Sequence, residues 1–142
     1  MRPATLVRYA FYWSQARLLI AAAALFLGGV PPLIYLFPAF ADVGANILYV
    51  FWIVSGIVSA YLLYHWLRAD QKLFGHQDYW DLAAFWVSII SGINMGFNGI
   101  FHINIGMRIS TDPTVFMIVG VIYLLAALRL FTRYRGHSNK LF

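Results

Sequence analysis

The apolar residues of this chain fall into four long runs separated by short polar segments. The runs cover about residues 18–37, 46–67, 82–104 and 113–131, and each is long enough to cross a bilayer as a helix. Pro31 and Pro32 interrupt the first run, and we expect a kink there because proline lacks a backbone N–H and clashes with the preceding turn. The pattern predicts an all-α integral membrane protein, a single-domain four-transmembrane-helix bundle with a kinked first helix.

Three further features refine the boundaries of these helices. Asp81 opens the third run and is expected to cap that helix, while Asp112 precedes Pro113, a residue suited to the first helical position. Residues 1–17 are basic and aromatic, which indicates an interfacial lead-in helix or an early turn of the first span. Arg17 is expected to lie slightly inside the bilayer and to extend its guanidinium towards the headgroups.

The composition supports the membrane interpretation. Of the 142 residues, 62% are hydrophobic and only 11% are charged, whereas about 25% of a soluble domain is charged. The net charge of +5 does not indicate nucleic-acid binding, because most basic residues lie at the ends of the apolar runs. The chain has no cysteine, which excludes disulfides, thiolate metal sites and cysteine nucleophiles.

The basic residues also predict an orientation. Nine of the ten Lys and Arg residues lie on the side that holds both termini and the segment between the second and third runs, and only Arg108 lies on the other side. The positive-inside rule then places both termini in the cytoplasm, with the chain in a plasma or inner membrane. Arg129 and Arg133, near the end of the fourth run, are expected to contact anionic headgroups or an acidic partner subunit.

The third run carries an unusual polar face. At about 100° per residue, four polar side chains fall within roughly 80° of one another on a helical wheel. They are Ser91, Asn94, Asn98 and His102. A stripe of small residues adjoins them, made of Gly92, Gly96 and Gly99. The opposite side is bulky and apolar, so we expect the polar face to point at protein, with Asn94 bonded to another helix, a second subunit or water.

This face has two interpretations. As a packing surface, the glycine stripe and the small residues Ser55 and Ser59 of the second run form a helix-packing seam, and each hydrogen bond between helices contributes about 0.5–1.5 kcal/mol. As a functional site, the same amides and the imidazole of His102 line a pathway for a small solute or ion, or hold a small molecule.

Other chemistry is less well supported. His65 and His102 lie at opposite ends of their helices, roughly 25 Å apart at about 1.5 Å per residue, so they cannot share one haem within a protomer. No cofactor is therefore predicted, with a haem shared between subunits as the alternative. The histidines and aspartates between the second and third runs lack metal-ligand spacing and favour a solvated loop. No nucleophile–base pair is recognisable, so an enzyme is not predicted.

The sequence thus predicts a non-catalytic, multi-span subunit of a larger membrane complex, which stabilises neighbouring subunits and lipid. The reason is size: so small a bundle has few ways to bury the polar face of its third helix alone, so we expect self-association or other membrane subunits as partners. The alternative is a small oligomeric channel or carrier for a polar solute or ion, lined by the third helix.

Overall fold

The computed structural model describes residues 3–32 and 41–142, with side chains for residues 4–32 and 46–142. Within those residues the chain is helical: α1 (Pro3–Phe26), α2 (Ala41–Arg68), α3 (Tyr79–Phe101), the short α4 (Ile105–Ile109) and α5 (Pro113–Gly136). Three segments are long and apolar enough to cross a membrane, namely Asn46–Arg68, Tyr79–Phe101 and Pro113–Gly136. The all-helical, membrane-compatible prediction is confirmed for the second, third and fourth apolar runs.

The first helix differs from its prediction. It begins at Pro3, not near residue 18, and it ends at Phe26, before the proline pair. The chain turns at Gly28 and Gly29, whose φ angles of 73° and 86° lie in the left-handed region that glycine adopts without strain. The glycines therefore end this helix before the prolines are reached, and residues 33–37 of the predicted first span lie outside the described residues.

α2 and α3 pack along the predicted glycine stripe. Gly56 of α2 lies against Gly96 of α3, and a Cβ added to either residue would come within 2.7–2.8 Å of the other residue's Cα. Gly99 lies against the α2 backbone in the same way, and a Cβ on Gly92 would overlap the hydroxyl of Ser59. These small residues are therefore used within the chain, where they let two helix backbones approach closely.

α1 lies antiparallel to α5. The ring of Phe11 stacks on that of Tyr134, with 4.3 Å between the ring centroids, near the start of α1 and the end of α5. At the opposite end, the ring of Phe26 fits against Gly120, where an added Cβ would come within 2.8 Å of it. α1 is thus packed along the bundle as a fourth long helix and is not a separate surface segment.

The N-cap of α3 is Asp78, so the prediction that Asp81 caps this helix is wrong. The Oδ1 of Asp78 accepts hydrogen bonds from the backbone N–H groups of Trp80 and Asp81, both at 2.9 Å. These bonds hold the pKa of the Asp78 carboxyl below its usual value, and the bond from the N–H of Asp81 contributes most. The cap at Asp112 with Pro113 behind it is confirmed, since its Oδ1 accepts from the first backbone N–H groups of α5.

Asp81 instead lies inside the bundle and joins α3 to α5. Its carboxylate is fully buried and accepts from Arg129 Nε at 2.6 Å and from Arg133 Nε at 2.9 Å. Arg129 also bonds Asp78 at 3.1 Å, and Arg133 contacts His76. The two arginines were expected to reach headgroups or a partner, and they are committed within the chain because a buried carboxylate requires paired donors.

Candidate functional site

A cavity of about 190 Å³ lies between α1, α2, α3 and α5, beside the short helix α4. We call it the α3 cavity, because α3 supplies its polar wall. Three of the four residues predicted to form a polar face line that wall, namely Ser91, Asn94 and Asn98. Facing them are the apolar groups of Ile20, Ala21 and Ala24 on α1, the ring of Trp52 on α2 and the phenol of Tyr123 on α5.

Asn94 holds the segment that follows α3. Its Oδ1 accepts from the backbone N–H of Ile105 at 2.8 Å, and its Nδ2 donates to Asn104 Oδ1 at 3.1 Å. This contact depends on His102, which ends α3 with a φ of 55° and turns the chain back towards the helix. The Asn94 amide is therefore bonded to the start of α4 in the same chain, through one side chain and one backbone N–H, and helical periodicity does not reveal these contacts.

Asn98 lies one turn further along α3 and is half-buried. Among the described residues, none forms a hydrogen bond with its side-chain amide, so both its donor and its acceptor are available to a molecule in the α3 cavity. His102 does not line the cavity. Its imidazole is exposed and packs edge-on against Tyr49, with 4.7 Å between the ring centroids.

Arg17 is the residue of the site that was not predicted. It was expected to reach the headgroups, but it is only 5% exposed. Its Nη1 donates to Ser91 Oγ at 2.9 Å, and its Nη2 donates to the carbonyl oxygen of Ser88 at 2.6 Å and to the Ser88 hydroxyl at 3.2 Å. Ser91 follows Tyr79, the first residue of α3, by twelve residues, about 18 Å along the helix. The guanidinium therefore lies deep within the bundle.

The space for this guanidinium comes from a glycine. A Cβ on Gly92 would come within 3.0 Å of Arg17 Cζ as well as overlapping the hydroxyl of Ser59. Ser59 Oγ and Arg17 Nε are both buried without a hydrogen-bond partner among the described residues. Ser55, one turn before Ser59, faces α1 instead, where its Oγ accepts from Trp13 Nε1 at 3.1 Å.

One signal in the sequence pointed towards Arg17. An ionisable residue beside a strongly apolar stretch is costly to bury in a membrane protein and is often functional. Its position at the edge of the first apolar run suggested that it reaches the interface, because long basic side chains commonly do. The decisive information lies about seventy residues away, in the serines at positions 88 and 91.

The histidine positions restrict haem ligation within the chain. Tyr49, which contacts His102, precedes His65 by sixteen residues on α2, about 24 Å along the helix. The two imidazoles therefore lie near opposite ends of α2, and no single haem could take both as axial ligands.

No family model matches this chain, and no match was found among curated proteins or solved structures. The α3 cavity offers the uncommitted amide of Asn98, three hydroxyl groups and an apolar wall, with the buried guanidinium of Arg17 behind the hydroxyl of Ser91. These groups can bind and orient a small molecule.

Proposed function

We propose that this chain is a membrane-embedded binding or carrier protein for a small polar molecule, which is held in the α3 cavity. The observation that carries the proposal is the convergence of Ser91, Asn94 and Asn98 on one wall of that cavity, with the Asn98 amide uncommitted. A pocket with an apolar lining and a few placed polar groups is the usual form of a small-molecule site. This is the carrier alternative from the sequence, without His102 in the lining.

The size of the cavity limits the ligand. Its volume of about 190 Å³ is below the roughly 300–1,000 Å³ of sites for drug-sized molecules. It is somewhat larger than an apolar cavity of about 150 Å³ that takes up benzene. A molecule of about one ring with one polar group therefore fits, with the polar group towards the polar wall of α3 and the ring towards Ile20 and Trp52.

The proposal also includes a topology. α1 supplies a fourth span, and the excess of basic residues near both termini and between α2 and α3 favours a cytoplasmic position for these segments. The α3 cavity, which adjoins α4, then lies in the outer half of the bundle. A ligand would enter from the side of the membrane that carries Arg108.

The proposed site can be tested with 4-fluorobenzamide, a neutral one-ring probe, by ¹⁹F NMR on the protein in nanodiscs of neutral lipid. The parent chain should bind it above the background of empty nanodiscs. Asn98→Leu should weaken binding about fivefold, because loss of one hydrogen bond costs about 1 kcal/mol. Asn46→Leu is the matched control, since Asn46 is exposed at the start of the apolar part of α2.

Two results would contradict this proposal. One is no binding by the parent chain above empty nanodiscs, and the other is equal binding by the parent chain and the Asn98→Leu variant. Asn94→Leu is not a suitable probe, because the Asn94 amide also holds Asn104 and Ile105, so its loss would disturb α4 as well as the cavity.

A second candidate is the non-catalytic subunit of a membrane complex predicted from the sequence. The observation that favours it is an apolar groove of about 550 Å³ on the outside of α3 and α5, with small residues in its lining. These are Ala83, Ala84 and Ala126. Small residues let a neighbouring helix approach closely in a membrane, so the groove fits a helix of a second copy or of another subunit.

The absence of cysteine makes this second candidate easy to test. A single cysteine introduced as Ala83→Cys in the groove should give a cross-linked product in native membranes with a bifunctional maleimide. The same reaction on Ile57→Cys, an exposed position on α2, should give none. Absence of a product from Ala83→Cys, or equal yields from both variants, would count against a helix of a second copy in the groove, because the cross-link needs a thiol on both chains.

A further inference from the structure

The buried guanidinium of Arg17 carries a charge that the surrounding protein does not balance. Its three hydrogen bonds go to the hydroxyl groups of Ser88 and Ser91 and to one carbonyl oxygen, all of them neutral acceptors. Arginine remains protonated in proteins, so it cannot escape the cost of burial by losing its proton. A positive charge in a membrane interior therefore requires a negative charge nearby or water.

The acidic residues of the chain do not supply that negative charge. There are five of them, namely Asp42, Asp70, Asp78, Asp81 and Asp112. Asp78 and Asp81 are paired with Arg129 and Arg133, and no ion pair between Arg17 and a described carboxylate is present.

The remaining three aspartates lie at the helix ends or in the connections between helices. Asp70 and Asp112 lie in connections and are exposed. Asp42 is far from the guanidinium along α2. Ser59 lies beside the guanidinium, and Asp42 is seventeen residues before Ser59, about 25 Å along the helix. No described carboxylate therefore balances the guanidinium, and either water or an anion from outside the chain must stabilise its charge.

The α3 cavity gives an external molecule access to this charge. Ser91 both lines the cavity and accepts from Arg17 Nη1, and its own O–H remains free to donate to a ligand. Ala21 and Ala24 line the cavity four and seven residues after Arg17 on the same face of α1. Arg17 thus lies one helical turn before this part of the apolar wall, and its guanidinium lies behind the hydroxyl of Ser91.

We infer that the molecule held in the α3 cavity is an anion, a carboxylate or phosphate attached to a small apolar group. The acidic group lies against Ser91, whose hydroxyl donates to it and links it to the charge of Arg17. The apolar group lies against the α1 wall and Trp52. This inference rests on the proposed function, and it adds the charge of the ligand and the residue that selects for it.

The test compares two probes that share size and shape and differ in charge, 4-fluorobenzoate and 4-fluorobenzamide. Both are measured by ¹⁹F NMR on the protein in nanodiscs of neutral phosphatidylcholine. The parent chain should bind the benzoate about tenfold more tightly than the benzamide, a difference of about 1.4 kcal/mol. Arg17→Gln should reduce this ratio to about one, whereas Arg68→Gln, which removes an exposed positive charge at the end of α2, should leave it unchanged.

A second variant covers the case in which Arg17→Gln fails to fold. Ser91→Ala keeps the guanidinium and removes the hydroxyl that links it to the cavity, so it should weaken benzoate binding more than benzamide binding. A ratio of about one in the parent chain would overturn the inference and leave the proposed site standing. A ratio that survives in the folded Arg17→Gln variant, or in Ser91→Ala, would overturn it too. Binding of neither probe would overturn both proposals.

The same measurement separates two sources of the anion. In nanodiscs that contain anionic phosphatidylglycerol, a bilayer headgroup that occupies the site would compete with 4-fluorobenzoate and weaken its binding to the parent chain. Unchanged binding in those nanodiscs would assign the site to a free organic acid. Both results support an anion site at Arg17, and the first names the lipid as its occupant.

Discussion

Gly96→Ala should be among the most destabilising single substitutions in this chain. The added Cβ would come within 2.8 Å of Gly56 Cα, and neither residue has a side chain that can move aside. The two helix backbones would have to separate, and overpacking of this kind costs about 1–3 kcal/mol or more. We expect a loss of about 3 kcal/mol in the free energy of unfolding, measured by circular dichroism during titration of the detergent-solubilised protein with dodecyl sulfate.

Gly136→Ala provides the matched control. A Cβ at Gly136 meets no atom within 4 Å, so the same substitution there should leave the free energy of unfolding unchanged or raise it slightly. Equal stabilities of the two variants would mean that α2 and α3 are not in backbone contact in the folded protein. Gly56→Ala offers an independent check from the other helix, since its added Cβ would come within 2.7 Å of Gly96 Cα.

The glycine stripe shows which part of the helix packing could be predicted from the sequence. Helical periodicity placed Gly92, Gly96 and Gly99 on one face, because that property belongs to a single helix. The same periodicity could not identify Gly56 as the opposite residue, because pairing depends on how two helices cross. The stripe packs against α2 of the same chain, whereas the expectation of a second subunit concerned the polar face beside it and stays a prediction.

The polar contacts were harder to predict than the helices. Asn94 was correctly expected to require a partner, but that partner depends on a left-handed residue, His102, which turns the chain back on itself. Such a conformation is uncommon for residues other than glycine, and no feature of the helical pattern predicts it. Arg17 shows the same limit, because its burial depends on serines of α3 that only the folded chain brings close.

The charged residues near the end of α5 show a third limit on what the sequence alone can predict. The positive-inside rule gave Arg129 and Arg133 a general role on the predicted cytoplasmic side, which required no specific partner. The structure gives them a specific one in Asp81, which lies three residues inside α3. Asp81 was expected to be the cap, and only the backbone geometry separates the cap at Asp78 from the buried ion pair at Asp81.

Asp81→Asn should detach the end of α5 from α3. The carboxylate is fully buried and accepts from both Arg129 and Arg133, so the amide would lose the charge and one of its two acceptors. Breaking a buried ion pair costs about 3–5 kcal/mol, but these arginines are 38% and 37% exposed and can turn towards water. We therefore expect a smaller loss of about 2 kcal/mol in the free energy of unfolding, measured by the same dodecyl sulfate titration.

The same substitution at Asp70 is the control, because Asp70 is exposed and its φ of 51° suits asparagine as well as aspartate. Asp70→Asn should change the free energy of unfolding by less than about 0.5 kcal/mol. Hydrogen exchange supplies the structural readout, since amides of the last turns of α5 should exchange faster in Asp81→Asn alone.

If Arg133 acts through Asp81, adding Arg133→Gln to Asp81→Asn should reduce the free energy of unfolding by less than Arg133→Gln does in the parent chain. Additive losses would show that the two residues act independently, and the link between α3 and α5 would then have to lie elsewhere.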